Sequence, residues 1–305
     1  MSRKVLMLLV SFLLSAGSMA APSYKDGFAA YSSGDYLRAL KILQPLAEGG
    51  DIYAQHSLGL MYEKGRGVKR DYEKPLSYYY RAAEQGLMQA QNNIGSMYSK
   101  GLGGKQNHIE AAKWYQLAAE HGLPVAQSNL AVAYENGQGV EKNYAVAHKW
   151  HLLAAQKNWA DSQNNLGWMS ENGQGVAKDN EAAIQWYRLA ADQGNPTAQV
   201  NLADKYDRGI GVPQNYSEAA KWYRLAAKQS DPKGQSNLGT MYAQGQGVPQ
   251  DVVRAYIWMY LSAKSGMTDA VKNIGVLDKM VSQSQKREAI AKADECSKNQ
   301  FRNCN

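Results

Sequence analysis

Two histidines lie one helical turn apart in the segment HKWH, at His148 and His151. Imidazoles at this spacing on one face of a helix could supply half of a zinc site. The sequence offers no third ligand in a matching pattern, and His151 stands where related segments carry Tyr115, Tyr187 and Tyr223. We therefore expect packing or surface roles for both histidines, and we predict no metal site and no cofactor.

A glycine-rich phrase recurs along the chain, as ENGQGV at 135–140 and again at 171–176. Gly-x-Gly can hold a phosphate when it follows a strand, and the Walker form also needs a Lys-Ser/Thr that is never present here. An active site needs such a loop once, whereas this chain has six. We predict that the glycines end one helix with positive φ and turn the chain into the next. The pairs are Gly65/Gly67, Gly101/Gly103, Gly137/Gly139, Gly173/Gly175, Gly209/Gly211 and Gly245/Gly247.

Other catalytic constellations are not found in the sequence. Serine, histidine and aspartate are present, but none falls in a nucleophile elbow, a zinc-binding helix or a carboxylate pair outside the recurring phrase. We therefore predict that the protein is not an enzyme.

The elements that carry these residues repeat with a period of 36 residues and no insertion. We predict six repeats over 53–268, a signal peptide over 1–20, an N-terminal capping helix pair over 21–52, and a partial seventh repeat with a C-terminal capping helix over 269–305. The six repeats are 53–88, 89–124, 125–160, 161–196, 197–232 and 233–268.

Each repeat shows the pattern of two packed helices. The first half has a small residue at its second position, Leu or Ile at its sixth and Gly or Ala at its seventh, which predicts helix A. The second half has an aromatic residue, Trp in five copies, followed by an alanine pair such as Ala118/Ala119 or Ala190/Ala191, which predicts helix B. We expect bulky side chains to pack against small ones between the helices.

The N-terminus has the pattern of an export signal. Arg3 and Lys4 precede an apolar run, and small residues at Ser18 and Ala20 predict cleavage after Ala20. Without Arg3 and Lys4 the chain keeps 32 basic and 27 acidic residues, spread along its length. We predict a periplasmic protein, or a secreted or surface-associated one, with no membrane span, no nucleic acid partner and a monomeric state.

Two cysteines, Cys296 and Cys304, lie close to the end of the chain. An even pair with a short loop in an exported chain favours a structural disulfide, worth about 2 kcal/mol. A redox pair or half of a metal site are the alternatives, but redox pairs favour a two-residue spacing and no histidine-rich segment lies nearby.

The combination of repeat length, Gly-x-Gly turn, tryptophan and alanine pair resembles the Sel-one-like repeat family, a relative of the tetratricopeptide repeats. The resemblance covers 53–268. It implies an all-α, right-handed superhelical solenoid of 36-residue helix-turn-helix repeats that binds proteins, with helix A on the concave side. Terminal repeats must cover their open faces, which suits capping helices at both ends.

A second stripe of helix A, at repeat positions four, eight and eleven, varies between copies at positions eight and eleven, whereas the packing positions agree. Because apolar anchors with polar surroundings are typical of protein-binding hot spots, we predict a partner contact there. The acidic members suggest a partner with a basic surface; unconstrained surface is the alternative. The predicted binding residues are Leu60, Glu63, Ser96, Val132, Glu135, Trp168, Glu171, Asp204 and Asp207.

These observations lead to three hypotheses for function. The first is a periplasmic interaction scaffold, which the resemblance extends to an immunity protein that neutralises a secreted toxin such as a phospholipase-type effector. The second is an envelope signalling regulator or a surface protein that binds a host factor. The third is a lactam-binding or weakly lactam-hydrolysing enzyme; cysteine-rich relatives with that association carry a cysteine pair in each repeat, which this sequence lacks.

Overall fold

The structure, a computed structural model, describes residues 21–299 and residue 304. All regular elements among these residues are α-helices, which confirms the predicted all-α helical-repeat solenoid. The segment predicted to be a signal peptide, 1–20, lies outside the described residues. The chain divides into two compact units, with unit 1 ending at Gln85 and unit 2 beginning at Gly86.

The helices follow one another in pairs along the chain. Helix A of the six repeats corresponds to α3, α5, α7, α9, α11 and α13, and helix B to α4, α6, α8, α10, α12 and α14. Unit 1 contains α1 (Tyr24–Ser32), α2 (Tyr36–Glu48), α3 (Ile52–Lys64) and α4 (Glu73–Glu84). Unit 2 contains α5 (Met88–Lys100), α6 (His108–Glu120), α7 (Pro124–Asn136), α8 (Tyr144–Ala155), α9 (Ala160–Asn172), α10 (Asn180–Asp192), α11 (Pro196–Arg208), α12 (Tyr216–Lys228), α13 (Pro232–Gln244), α14 (Val252–Lys264), α15 (Thr268–Leu277) and α16 (Gln283–Lys298).

A glycine ends every helix A, and three of the six A helices also have a side-chain cap at their N-terminus. Asn195 and Asp231 each precede a proline at the first helical position and accept a hydrogen bond from a backbone N–H three residues later, at 2.9 and 2.7 Å. At the other end, the first glycine of each Gly-x-Gly pair is the C-cap, with φ between 67° and 70°. The left-handed conformation favours glycine, so the predicted helix-ending turn is confirmed.

The second glycine of each pair also has positive φ, and in the third to sixth repeats it lies close to the start of the preceding helix B. A Cβ on Gly139 would overlap the carbonyl oxygen of His108, and a Cβ on Gly247 would overlap that of Tyr216. His108 and Tyr216 are the first residues of α6 and α12, the B helices of the repeats before. In these four repeats the second glycine therefore lets the turn pack on the start of the previous helix B.

Tyrosine, rather than the neighbouring tryptophan, is the most deeply buried aromatic residue of most repeats. In unit 2 the ring of Tyr187 lies against Gly167 of the same repeat, where an added Cβ would come within 2.6 Å of the ring. Tyr187 is fully buried, whereas Trp186 is half-buried. The predicted packing of bulky against small side chains is present, but its main contact is made by the residue after the tryptophan position.

Buried glutamines connect the two helices of several repeats. Position three of helix A is glutamine in all six repeats, and in five of them its Nε2 donates to a backbone carbonyl at the end of the preceding helix, as Gln199 does to Ala191 at 3.2 Å. Three repeats carry a second glutamine at position 33, just after helix B. Its Nε2 donates to the Oε1 of the first glutamine, in the pairs Gln85 to Gln55 (3.1 Å), Gln193 to Gln163 (2.6 Å) and Gln229 to Gln199 (2.9 Å).

Repeats without the second glutamine lack this bond. Position 33 is Lys157 in the repeat of Gln127 and Ser265 in the repeat of Gln235. The Oε1 atoms of Gln127 and Gln235 are buried and have no hydrogen-bond partner among the described residues. A buried carbonyl oxygen without a hydrogen bond lowers the stability of the folded state. These two repeats therefore have a buried acceptor that is satisfied in the repeats with a second glutamine.

The C-terminal helices cover the last repeat of unit 2. Both α15 and α16 pack on α14, and Lys264 forms an ion pair with Asp294 of α16 at 2.8 Å. Cys296 and Cys304 form the predicted disulfide, and both are buried. No helix within 21–299 has the length and hydropathy that crossing a membrane requires.

Candidate functional site

The A helices of unit 2 contact one another directly from repeat to repeat. Asn129 of α7 donates a hydrogen bond to Asn92 of α5 at 2.9 Å, and Asn201 of α11 donates to Asn164 of α9 at 3.0 Å. Helix α11 also packs on α13. This row of A helices carries the predicted binding residues of unit 2, which lie at positions eight and eleven of successive repeats.

Unit 1 carries two of the predicted binding residues, both on α3. Leu60 and Glu63 are half-buried. Glu63 accepts a hydrogen bond from the hydroxyl of Tyr79 at 2.8 Å and pairs with Lys64 at 3.0 Å. Both carboxylate oxygens of Glu63 therefore have partners within its own repeat.

Trp168 is the most exposed of the predicted binding residues. Its side chain on α9 is 40% exposed, whereas Ser96 and Val132 are half-buried. Ser96 and Val132 line an open groove of about 370 Å³ between α5 and α7, together with Asn93, Asn129 and other side chains. The row of A helices thus offers one large exposed aromatic side chain and a polar groove with an apolar wall.

Three of the four acidic residues at position eleven, Glu63, Glu135 and Glu171, bond to the residue at position 27, at the centre of helix B. In the repeat of α9, Tyr187 donates to Glu171 at 2.8 Å, as Tyr79 does to Glu63 in unit 1. Burial, reinforced by the charge of Glu171, raises the pKa of Tyr187, so its hydroxyl keeps its proton and donates. These carboxylates help to hold helices A and B together.

His151 takes the place of this tyrosine in the third repeat. Its ring is fully buried, with Nδ1 2.9 Å from the hydroxyl of Ser162 and Nε2 3.1 Å from Glu135. Asn165 lies 3.3 Å from the same Nε2. His148 is half-buried, and burial followed by the proximity of His151 lowers its pKa. Within the described residues no three His, Cys, Asp or Glu side chains are grouped as metal ligands.

A buried lysine lies within the acidic part of the row. Lys205 on α11 is 3% exposed and forms ion pairs with Glu171 of α9 and with Asp204 at 3.3 Å. Its position, the ninth of the repeat, is methionine in four of the other five repeats. Asp204 also pairs with the exposed Arg208 at 3.5 Å. Lys205 and Arg208 thus neutralise part of the negative charge of the predicted binding residues.

Asp207, the last predicted acidic residue, is half-buried near this cluster. Burial raises the pKa of its carboxyl, and the negative charge of Asp204 adds to the effect, while Arg208 opposes it. Protonation of Asp207 is therefore easier than that of an ordinary surface aspartate.

Comparison with known proteins identifies the repeat. A family model described as Sel1 repeat matches residues 52–87, 89–123, 124–159, 160–195, 196–231 and 232–267. No curated protein matches the chain significantly.

Solved structures show the same fold. A Sel1 repeat protein from Oxalobacter formigenes is 32% identical, with a TM-score of 0.73 over 80% of this chain and 97% of that protein. A protective antigen with an SLR fold, present in uropathogenic Escherichia coli strains, is 31% identical, with a TM-score of 0.60 over 90% of this chain and 69% of its own. An immunity protein from Pseudomonas aeruginosa is 18% identical over 70% of this chain and 81% of its own, with a TM-score of 0.48, a likeness that carries no functional argument.

Proposed function

Because the chain belongs to the Sel1 repeat family, a helical scaffold suited to protein–protein interaction, we propose that it is an exported, non-enzymatic protein that binds one partner protein on the A helices. The observation that carries the proposal is Trp168, a large aromatic side chain 40% exposed on the row of A helices. Aromatic anchors surrounded by polar groups dominate protein interfaces. The half-buried Val132 supplies an apolar wall in the preceding repeat.

The chemistry of the acidic stripe refines the expected partner. Lys205 already compensates Glu171 and Asp204. Glu135 lies in the repeat before that of Glu171 and contacts the ring of His151. Asp207 lies in the repeat after it, which also carries Lys205, and the pKa of its carboxyl is raised. We expect lysine or arginine side chains of the partner to pair with Glu135 and Asp207, and its apolar side chains to pack on Trp168.

The experiment that tests this proposal is affinity capture with residues 21–305 as bait, from envelope and secreted fractions. The site variant is Val132→Glu/Trp168→Ala. A matched control, Leu153→Glu/Leu189→Ala, replaces two side chains that are exposed to a similar extent, 43% and 49%, on the B helices. Retained proteins are identified by mass spectrometry, purified and titrated against all three baits.

We expect a partner that binds the wild type and the control with equal affinity and binds the site variant at least about 30-fold more weakly. This factor corresponds to about 2 kcal/mol, which is typical of the loss of an aromatic hot-spot residue. Loss in the control with retention by the site variant would place the interface on the B helices and contradict the proposal. Equal binding by all three baits would contradict it too.

The identity of the retained protein distinguishes the roles inferred from the sequence. A toxin, including a phospholipase-type effector, would support an immunity function, which co-expression tests by restored growth. A sensor kinase or a host protein would support the signalling or surface-binding alternative. Turnover of a chromogenic lactam that one serine substitution abolishes would replace the scaffold proposal by the enzymatic one. Fractionation of cells that express the full chain tests the periplasmic location.

A further inference from the structure

The C-terminal end of the row of A helices differs in chemistry from the rest of unit 2. Positions eleven and 27, which hold Glu171 and Tyr187 in the fourth repeat, are Ala243 and Met259 in the sixth. The polar bond between helices A and B is thus replaced by two apolar side chains. An open pocket of about 290 Å³ lies there, between α13, α14 and α15.

Apolar side chains form the walls of this pocket. Met259, Val276, Leu277 and Met280 line it, with Ala243 and the polar Thr240, Gln244 and Asn273. Val276 and Met280 are 59% and 53% exposed, although both are apolar. Methionine adapts its shape to what it contacts, which suits a pocket that admits a side chain from outside. The volume accommodates one large apolar side chain.

The charged side chains beside the pocket are Lys272, Lys279 and Asp278, and because the Asp278 carboxylate pairs with Lys286 at 2.6 Å, positive charge is in excess there. Lys272 lies one turn before Val276 on the same face of α15, and Lys279 lies in the turn that follows the helix, between Asp278 and the pocket residue Met280. The side chain of Lys272 is 80% exposed and meets Asp269 at a distance of 3.8 Å, while Lys279 is exposed. In the seventh copy, therefore, lysine occupies position eleven, which is acidic in the third, fourth and fifth repeats.

We propose that this pocket, defined by Met259, Val276, Leu277 and Met280 and flanked by Lys272 and Lys279, is a second docking site, which takes an acidic peptide segment with one large apolar side chain. The apolar side chain fills the pocket, and carboxylates on both sides of it pair with the two lysines. Seven residues of helix span about 10 Å, which an extended peptide covers in about three residues. The acidic residues of the segment therefore lie within about three positions of the apolar one.

This site is independent of the proposed function, because it shares no residue with the predicted binding residues around Trp168. It binds an acidic segment, whereas the partner proposed for those residues is basic. Its test uses residues 21–305 as bait for a displayed library of random 12-residue peptides. The variants are Val276→Asp, which blocks the pocket, and Lys272→Glu/Lys279→Glu, which reverses the charge. Val271→Asp is the matched control, because Val271 is 57% exposed on α15 but does not line the pocket.

We expect selection of peptides in which Asp or Glu flanks a Leu, Ile, Met or Phe on both sides. The best peptide should bind Val276→Asp at least about tenfold more weakly, equivalent to about 1.4 kcal/mol, and Val271→Asp unchanged. Reversing its acidic residues to lysine should abolish binding to the wild type and restore it on Lys272→Glu/Lys279→Glu. A misfolded variant could not give this restored binding. Binding to the wild type should weaken as salt rises from about 0.05 to 0.5 M.

Three results would overturn the proposal. One is a selection that retains no peptide, or retains peptides without acidic enrichment. Another is equal binding to the wild type and Val276→Asp. The third is a concentration-dependent dimer, measured by sedimentation, that Val276→Asp dissociates, since the pocket would then be occupied by a second copy of this chain.

Discussion

The glutamine pairs allow a stability change to be calculated for a single exposed residue. Lys157 follows α8 at the position where three other repeats have a glutamine, and the Oε1 of Gln127 lies buried without a hydrogen bond. We predict that Lys157→Gln stabilises the protein. The new amide should donate to Gln127 as Gln193 donates to Gln163, at 2.6 Å.

The magnitude follows from the two bonds exchanged. A buried amide–carbonyl hydrogen bond contributes about 0.5–1.5 kcal/mol net. The substitution loses the bond from the ammonium of Lys157 to the carbonyl of Gly122, but this bond is exposed and contributes little. A gain of about 1 kcal/mol remains. The converse change, Gln193→Lys, leaves the buried Oε1 of Gln163 unbonded and should cost about 1–3 kcal/mol.

The assay is thermal unfolding followed by circular dichroism, with urea unfolding as a second measure. For a unit of this size, 1 kcal/mol shifts the midpoint by about 2–4 °C. Gln156→Lys, at the exposed residue before Lys157, is the control and should change stability by less than about 0.5 kcal/mol. If Lys157→Gln lowers the midpoint, or if Gln193→Lys leaves it unchanged, the buried glutamine pairs do not contribute as argued.

Three further predictions concern other buried groups. Lys205→Met and Lys205→Ala both remove the ion pairs with Glu171 and Asp204, but only the alanine leaves a cavity where the buried stem lay, so Lys205→Ala should be less stable than Lys205→Met by about 2 kcal/mol or more; both are measured by urea unfolding, and equal losses would contradict the argument. Gly139→Ala should lower the free energy of unfolding by about 3 kcal/mol or more, because φ is +75° and the added Cβ would overlap His108. The control Gly104→Ala, with open space around it, should lower it by less than about 0.5 kcal/mol, and the melting temperatures of the two variants give the comparison. Burial lowers the pKa of His56 from 6.5 to about 4, so between pH 4 and 6.5 the folded protein binds fewer protons than the unfolded chain, and the free energy of unfolding should fall by up to about 3 kcal/mol as pH drops from 6.5 to 4. His56→Gln should remove this part of the pH dependence, and an unchanged dependence of the unfolding free energy on pH would count against the argument.

The helical pairs and their turns could be predicted because their causes are local and repeated. A glycine such as Gly137 is required wherever the chain takes a left-handed conformation, and the same requirement recurs every 36 residues. The choice between two adjacent aromatic positions could not be made this way, because Trp186 and Tyr187 both recur. Their burial depends on the angle between the helices, and it is the glycine at position seven that favours Tyr187.

The contacts made by the predicted binding residues could be predicted less completely, because several of them cross from one repeat to the next. A single lysine among methionines gives no sign that its ammonium reaches Glu171 in the repeat before. A signal for the bond between positions eleven and 27 was nevertheless present in the sequence. Both positions are polar in the first five repeats, as in Glu171 with Tyr187, and both are apolar in the sixth, where they are Ala243 and Met259. The bond between positions eleven and 27 can therefore be recognised when pairs of repeat positions, rather than single positions, are compared between copies.

The same comparison shows why a solenoid of equal repeats can present unequal surfaces. Positions that hold the helices together, such as the buried Ala198 and Leu202, must satisfy neighbours on two sides and hardly vary. Positions eight and eleven are half-buried or exposed in every copy, so the charge they carry can change from one repeat to the next. Within unit 2 they pass from the neutral Ser96 through acidic residues to Lys279. A partner that extends along this row has an orientation imposed by charge, because turning it end for end would place like charges together.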